Sequence, residues 1–270
     1  MSLALGSLAV TPVDAACWEV FHENSKRSSL DLPSSQEPAT DSSRRDESSF
    51  ATELYPMVRL PYAAVPIETT LTAAVAAQIV PDRLAPTPLT LAQLATLLYC
   101  AYGVTGQSDA VPSRLTRAVP SAGGVYPLDI LFHTRSVESL DPGLYHYSPI
   151  RHELHRVIDG DQTAAIASAL PNRSVAVEAT MVLFIVAAFP RMTARFGERG
   201  YRHALVEAGH VGQNLRLAAT GLGFACLNIG EYFDRKVDEL LRLDGVRHST
   251  VSMAAIGVAA AARSAGSADR

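Results

Sequence analysis

The sequence is poor in cysteine, and the few it has stand too far apart to act together. Cys17, Cys100 and Cys226 are three in 270 residues. With no CxxC pair and no Cys/His spacing, they exclude a disulfide framework and a zinc site. Cys100 and Cys226 lie in apolar runs (LLYCAYG and GFACLNIG) and read as packing residues. Blocks of basic residues are also missing, and the net charge is −4. A nucleic-acid backbone is therefore not an expected partner. The longest apolar run, from Met181 to Phe189, is far too short to cross a bilayer. The N-terminal stretch MSLALGSLAVTPVDAAC lacks a basic segment and is broken by Gly6, Ser7 and Pro12, so it does not read as a signal peptide. The expectation is a cytosolic chain without a membrane partner.

What is present is a composition able to build a core, 48% hydrophobic and 19% charged. Alanine supplies much of the apolar content, which favours closely packed helices. Val13 to Phe21 reads as a short helix with Asp14 as cap and Trp18 and Phe21 on one face. The Ser/Pro/charged stretch from Leu32 to Ser49 reads as a linker, and Pro56, Pro61 and Pro66 keep the chain extended. The expected division is an N-terminal arm, residues 1–68, followed by one domain, residues 69–270.

From Thr69 the pattern is regular. Thr90 and Gln93 have capping-box spacing, and Leu91, Leu94, Leu97, Leu98 and Ala101 form a helical stripe ending at Gly103. Strands are expected at 128–134, just after Asp-Pro-Gly143, and at 180–189, 224–229 and 249–256. Helices are expected at 162–170, 201–220 and 234–243. The order lacks a parallel βαβ rhythm, which predicts an α+β fold, a mixed sheet sandwiched by helices.

Three segments carry candidate chemistry. In Arg117-Ala-Val-Pro120-Ser121-Ala122-Gly123-Gly124-Val-Tyr126-Pro127, little side-chain bulk shields the backbone amides, so a flat ring or an anion can approach. Glycine content alone favours an ordinary turn before the strand at Leu128. In Glu207-Ala-Gly-His210-Val-Gly-Gln-Asn214-Leu215, polar groups on a closely packed helix require partners, and Glu207, His210, Val211, Asn214 and Ala218 share a face. His210 reads as an interface histidine rather than a catalytic one. Arg195-Phe196-Gly-Glu-Arg199-Gly-Tyr201-Arg202 joins a buried strand to a long helix, a common place for ligand contacts. A solvated basic turn would have the same composition.

Taken in order, these segments resemble the SagB-type dehydrogenases, FMN-dependent azoline oxidases of the nitroreductase-like superfamily. The matching elements are Arg117 with Pro120 to Gly123 and Tyr126-Pro127, then Gly143-Leu-Tyr145-x-Tyr147. Arg199 to Arg202, Glu207 to Leu215 and Gly221-Leu-Gly223 follow. The Pro88 to Gly106 segment also fits, so the resemblance runs from roughly Thr69 to Gly257. It implies a nitroreductase-like fold and a homodimer with FMN in each interface cleft. Ser121 to Gly124 would lie along the flavin edge, and Gly230 and Glu231 would aim a backbone amide at its reacting nitrogen. It further implies oxidation of a thiazoline or oxazoline in a peptide-derived product, and a possible cyclodehydratase complex.

Two departures mark this chain. The Arg-Arg-Ser-x-Arg element that grips the FMN phosphate in relatives is replaced by Ala76 to Leu84, which keeps only Arg83. Arg117, Arg202 or Arg263 are the candidate substitutes, with Arg27 and Ser29 more distant ones. The Lys-Tyr pair of azole-forming members is replaced by Arg195-Phe196, and a guanidinium is a poor general base. Arg195 and Tyr201 are the candidate catalytic residues, and Asn214 joins the cofactor-binding set. The alternatives are a flavin-poor scaffold subunit of a biosynthetic complex and a generic NAD(P)H-dependent nitroreductase.

Overall fold

A computed structural model describes residues 16–26, 54–62, 65–77, 81–108 and 115–260. Asp14, the stretch 32–49, Arg27, Ser29 and Arg263 lie outside the described residues.

The strands are β1 (Met57–Arg59), β2 (Leu84–Ala85), β3 (Val104–Gln107), β4 (Leu115–Arg117), β5 (Leu128–Thr134), β6 (Gly143–Ser148), β7 (Glu153–Asp159), β8 (Met181–Ala188), β9 (Ala225–Ile229) and β10 (His248–Ala259). Seven of them form one path, β1-β7-β6-β5-β8-β10-β2, and β9 pairs with β10 to complete an eight-stranded sheet. Its ladders are antiparallel. Among the described residues parallel pairing is limited to the bridge between Leu89 and Val137, so the expected mixed sheet is antiparallel in its ladders. Hairpins account for this, since β5, β6 and β7 follow one another through short turns. Separately, β3 and β4 form a two-stranded ribbon.

The helices are α1 (Cys17–Asn24), α2 (Leu71–Ala76), α3 (Leu91–Tyr102), α4 (Thr163–Ser168), α5 (Ser174–Glu178), α6 (Phe189–Phe196), α7 (Arg199–Gly221) and α8 (Asp234–Leu240). The Thr90/Gln93 capping box is formed, and it starts α3. β8 is buried along its whole length and splits its side chains between two cores. Met181, Leu183, Ile185 and Ala187 join the core beneath α3 and α7. Val182, Phe184 and Val186 join the core beneath α4, α5 and α8. This alternation is the period-two geometry of a strand covered on both faces.

Several boundaries moved. Phe189 opens α6 instead of closing the strand, because Pro190 cannot donate to a ladder but suits a helix's first turn. β7 was not expected; its charged side chains include Arg156, which bonds Asp141 across the sheet edge. Trp18 and Phe21 do not share a buried face, for Trp18 is 69% exposed while Phe21 packs on Tyr201. Residues from the expected arm contribute on both sides of its linker, since β1 pairs with β7 and α1 packs against the start of α7. Among the described residues no helix is long and apolar enough to cross a membrane.

Candidate active site

Strand registers bring the informative segments to one end of the sheet. Leu128, which follows the glycine loop, pairs with Ala187, and Ala188 pairs with His248 at the start of β10. The turn from α6 into α7 therefore leaves the sheet beside the Pro120–Tyr126 loop. Close approach at that turn needs Gly200, where a Cβ would stand 2.7 Å from the Met192 carbonyl.

The loop is pinned by its own side chains. Tyr126 adopts φ 52, which is costly for a bulky residue and has to be held in place. Its N–H donates to Ser121 Oγ at 2.9 Å, and its hydroxyl accepts from the Arg117 N–H at 3.0 Å. The Arg117 guanidinium sits 4.5 Å above the Tyr102 ring and 4.8 Å from the Tyr126 ring. Between these anchors Gly123 and Gly124 take φ 63 and φ 65, a left-handed pair that glycine adopts without steric cost. Ala122 to Gly124 form a single 3-10 turn whose own side chains amount to one methyl group.

Arg195 reaches this turn. Its Nη1 donates to the Gly123 carbonyl at 3.0 Å, and a Cβ on Gly123 would lie 2.7 Å from the guanidinium carbon. Tyr201 stacks on Phe189 at 4.8 Å and meets Phe21 edge-on at 5.2 Å. Tyr201 also stands near Tyr232, whose hydroxyl is pushed up to about 12 by burial, by Asp234 and Asp238, and by Tyr201. That hydroxyl stays protonated and donates to the Thr250 carbonyl at 3.1 Å. Gly230 and Glu231 border a cavity of about 550 Å³ with Pro171, Asn228, Tyr232 and Ser252.

The remaining predicted residues hold structure in this chain. Asn214 donates from Nδ2 to the carbonyls of Cys100 and Ala118 at 3.1 and 3.0 Å, tying α7 to α3 and to the loop's approach. Arg202 donates to the His22 carbonyl near the end of α1 and lies over Phe21. Arg83 is paired with Glu178 through two guanidinium nitrogens. Pro120 is exposed at the head of the loop. His210 is exposed, whereas Glu207, one helical turn earlier, is buried. Sequence reasoning missed Tyr232 and Phe189. NIGEYFD does place an aromatic two residues after Gly230, but only the fold brings it to Tyr201.

An antiparallel sheet between two helical layers, with a glycine turn at one sheet end, is the arrangement of a known oxidoreductase class. The Nitroreductase family model matches residues 83–258, well over half of the chain. The chain belongs to the nitroreductase family. A Methanocaldococcus jannaschii relative named "Putative nitroreductase MJ1384" is 38% identical over 156 residues, which cover 58% of this chain and 76% of that protein. The microcin B17-processing protein McbC of Escherichia coli is 27% identical over 146 residues, covering 52% of this chain and 54% of McbC. Among solved structures, an Anabaena variabilis protein with the same description as MJ1384 superposes with TM-score 0.67 at 20% identity. It covers 78% of this chain, which spans only 43% of that protein. A chain of the E. coli microcin synthetase McbBCD complex superposes with TM-score 0.55 at 22% identity, covering 77% of this chain and 80% of its own. These superpositions establish the fold.

Proposed function

We propose that this chain is an FMN-dependent dehydrogenase of the SagB type that oxidises a thiazoline or oxazoline to the aromatic azole in a peptide-derived natural product. The observation that carries this reading is the left-handed glycine pair at 123–124, with the Arg195 guanidinium bonded to its carbonyl. It stands within an ordered set of motifs that continues through Arg199–Arg202 and Glu207–Leu215. The similarity to McbC supports the azoline branch.

The residues fit the ring end of FMN. Ser121, Ala122, Gly123 and Gly124 offer main chain with little bulk, and nothing lies within 4 Å of where a Gly230 Cβ would stand. A phosphate needs forked donors or several amides. Arg83, Arg117 and Arg202 are already engaged with Glu178, two aromatic rings and α1. Arg263, the remaining candidate, lies outside the described residues. When bound, FMN supplies a two-electron acceptor for the hydride leaving the azoline ring. With a guanidinium in place of a base, the azoline proton would go to solvent, and oxygen would be the terminal oxidant. Arg195 remains a cation and orients the turn and an electron-rich substrate atom, while Tyr201 closes the site with Phe189. The exposed side of α7, with Leu205, Val206 and His210, provides the surface for a homodimer. A cyclodehydratase complex is the larger assembly we propose.

A second reading is a generic NAD(P)H-dependent nitroreductase, favoured by the higher identity to MJ1384. A third is a flavin-poor scaffold subunit, favoured by the engaged arginines. Absorbance of the purified protein, FMN titration and turnover assays separate the three. Bound flavin with azoline oxidation and slow nicotinamide oxidation supports our reading. Rapid nicotinamide oxidation with quinones or nitroaromatics selects the second. A colourless protein that binds no added FMN overturns both and leaves the scaffold.

A further inference from the structure

No step above uses Glu207, and it is 2% exposed in the middle of α7. Its Oε1 accepts the Tyr102 hydroxyl at 2.8 Å, while Oε2 has no hydrogen-bond partner among the described residues. A half-satisfied buried carboxyl is costly, so its neighbours repay attention. Tyr102, from α3, also accepts the Leu128 N–H at 3.2 Å, at the exit of the glycine loop. Ser121, at the loop's entry, stands close enough to stabilise the Glu207 anion, and its oxygen is already taken by the Tyr126 N–H. Arg117, from β4, contributes its positive charge from between the Tyr102 and Tyr126 rings.

Both ends of the loop thus lead to one carboxyl. We propose that Glu207 is the positioning residue of the Pro120–Tyr126 loop, gripping it from beneath through Tyr102 and Ser121, so that a single buried proton sets how firmly Gly123 and Gly124 present their main chain. An ionised Glu207 only accepts, and draws both hydroxyl protons toward itself. A protonated Glu207 can donate and releases one of them. Burial raises this carboxyl to about 7, against the pull of Ser121, Tyr102 and Arg117, so both forms are populated near neutral pH. Tyr102 is raised well above its ordinary value by burial and by Glu207, and Arg117 stays charged, so neither competes in that range.

The test uses the full chain without ligand. Hydrogen exchange at the amides of 123–126 is followed from pH 5.5 to 8.5, corrected for intrinsic chemistry, in the wild type, Glu207→Gln and Tyr102→Phe. The wild type is expected to change protection by roughly tenfold with a midpoint near 7. Glu207→Gln should be flat. Tyr102→Phe removes a donor to the anion, so its midpoint should move upward by about one unit. Tyr102→Phe keeps the test decisive should Glu207→Gln fail to fold. A flat wild-type profile, a pH-dependent Glu207→Gln profile or an unmoved Tyr102→Phe midpoint each overturns the proposal.

A parallel FMN titration over the same pH range rests on the FMN reading, and its expected result is an affinity profile with the same midpoint. If the exchange profiles behave as stated but no FMN binds, the FMN reading fails and the role of Glu207 stands. If FMN binds with the same affinity and pH profile in Glu207→Gln and the wild type, the positioning role fails and the FMN reading stands.

Discussion

Two strand carboxyls on one face of the sheet and a helix carboxyl on the other are buried in opposite ways. On the face covered by α4, α5 and α8, Asp129 lies 3.5 Å from Arg191 and 3.7 Å from His146. Glu153, on the same face, lies 3.1 Å from His155 and 3.5 Å from Arg151. On the face covered by α3 and α7, Glu207 meets the hydroxyl of Tyr102 and forms no ion pair among the described residues, with Arg117 acting on it only through its field. Paired charge cements a corner, whereas a carboxyl without an ion pair changes its protonation state more readily. That difference places a titratable carboxyl beneath the glycine loop.

The largest expected effect challenges the idea that the faces differ only in their polar groups. Phe184→Ala empties the α4/α5/α8 side and should cost about 3–5 kcal/mol, while Leu183→Ala empties the α7 side at about 2–5 kcal/mol. Denaturant unfolding of the two variants compares them. A Leu183 variant well below that range would show that the site face is loosely packed.

Next comes the pH dependence of stability. Glu207 binds its proton more tightly when folded, at about 7 against the usual 4.5. Its stabilising contribution is complete below about 4.5 and is lost as pH rises through 7, at up to about 1.4 kcal/mol per unit. Glu207→Gln should remove this slope in thermal melts taken between pH 5 and 8.

Smaller still, Gly123→Ala adds a Cβ against the Arg195 guanidinium at a φ of 63 and should cost about 1–3 kcal/mol. FMN affinity should fall with it, as read by fluorescence titration. The smallest effect belongs to Arg83→Ala. That guanidinium is partly exposed, and solvent screens its pair with Glu178, so denaturant unfolding should barely move. Unchanged FMN affinity in this variant would confirm that Arg83 is a structural remnant rather than a phosphate ligand.

Legibility in the sequence followed the range of the forces involved. The start of α3 was readable because Thr90 and Gln93 cap it locally. β5 was readable residue for residue as LDILFHT, and β8 from its apolar, β-branched run. The loop at Pro120–Tyr126 stood out because several small residues in a row have few other uses. β7 escaped because ELHRVID places charges on a strand, and those charges find their partners within the strand and in the turn before β6. Arg202 was readable as a candidate phosphate ligand, yet α1 holds it from 180 residues away in sequence.

Local chemistry therefore determined by itself the family, the cap of α3, the buried strands and the position of the glycine turn, whereas α1 starts after Ala16 and not at Asp14. Only the tertiary structure decided which arginines were already engaged, that Arg195 would lie on Gly123, and that Glu207 would be buried against the Tyr102 hydroxyl. The energy of a buried charge depends on every group the fold brings within a few ångströms, and those groups come from α3, β4 and α7, far apart along the chain.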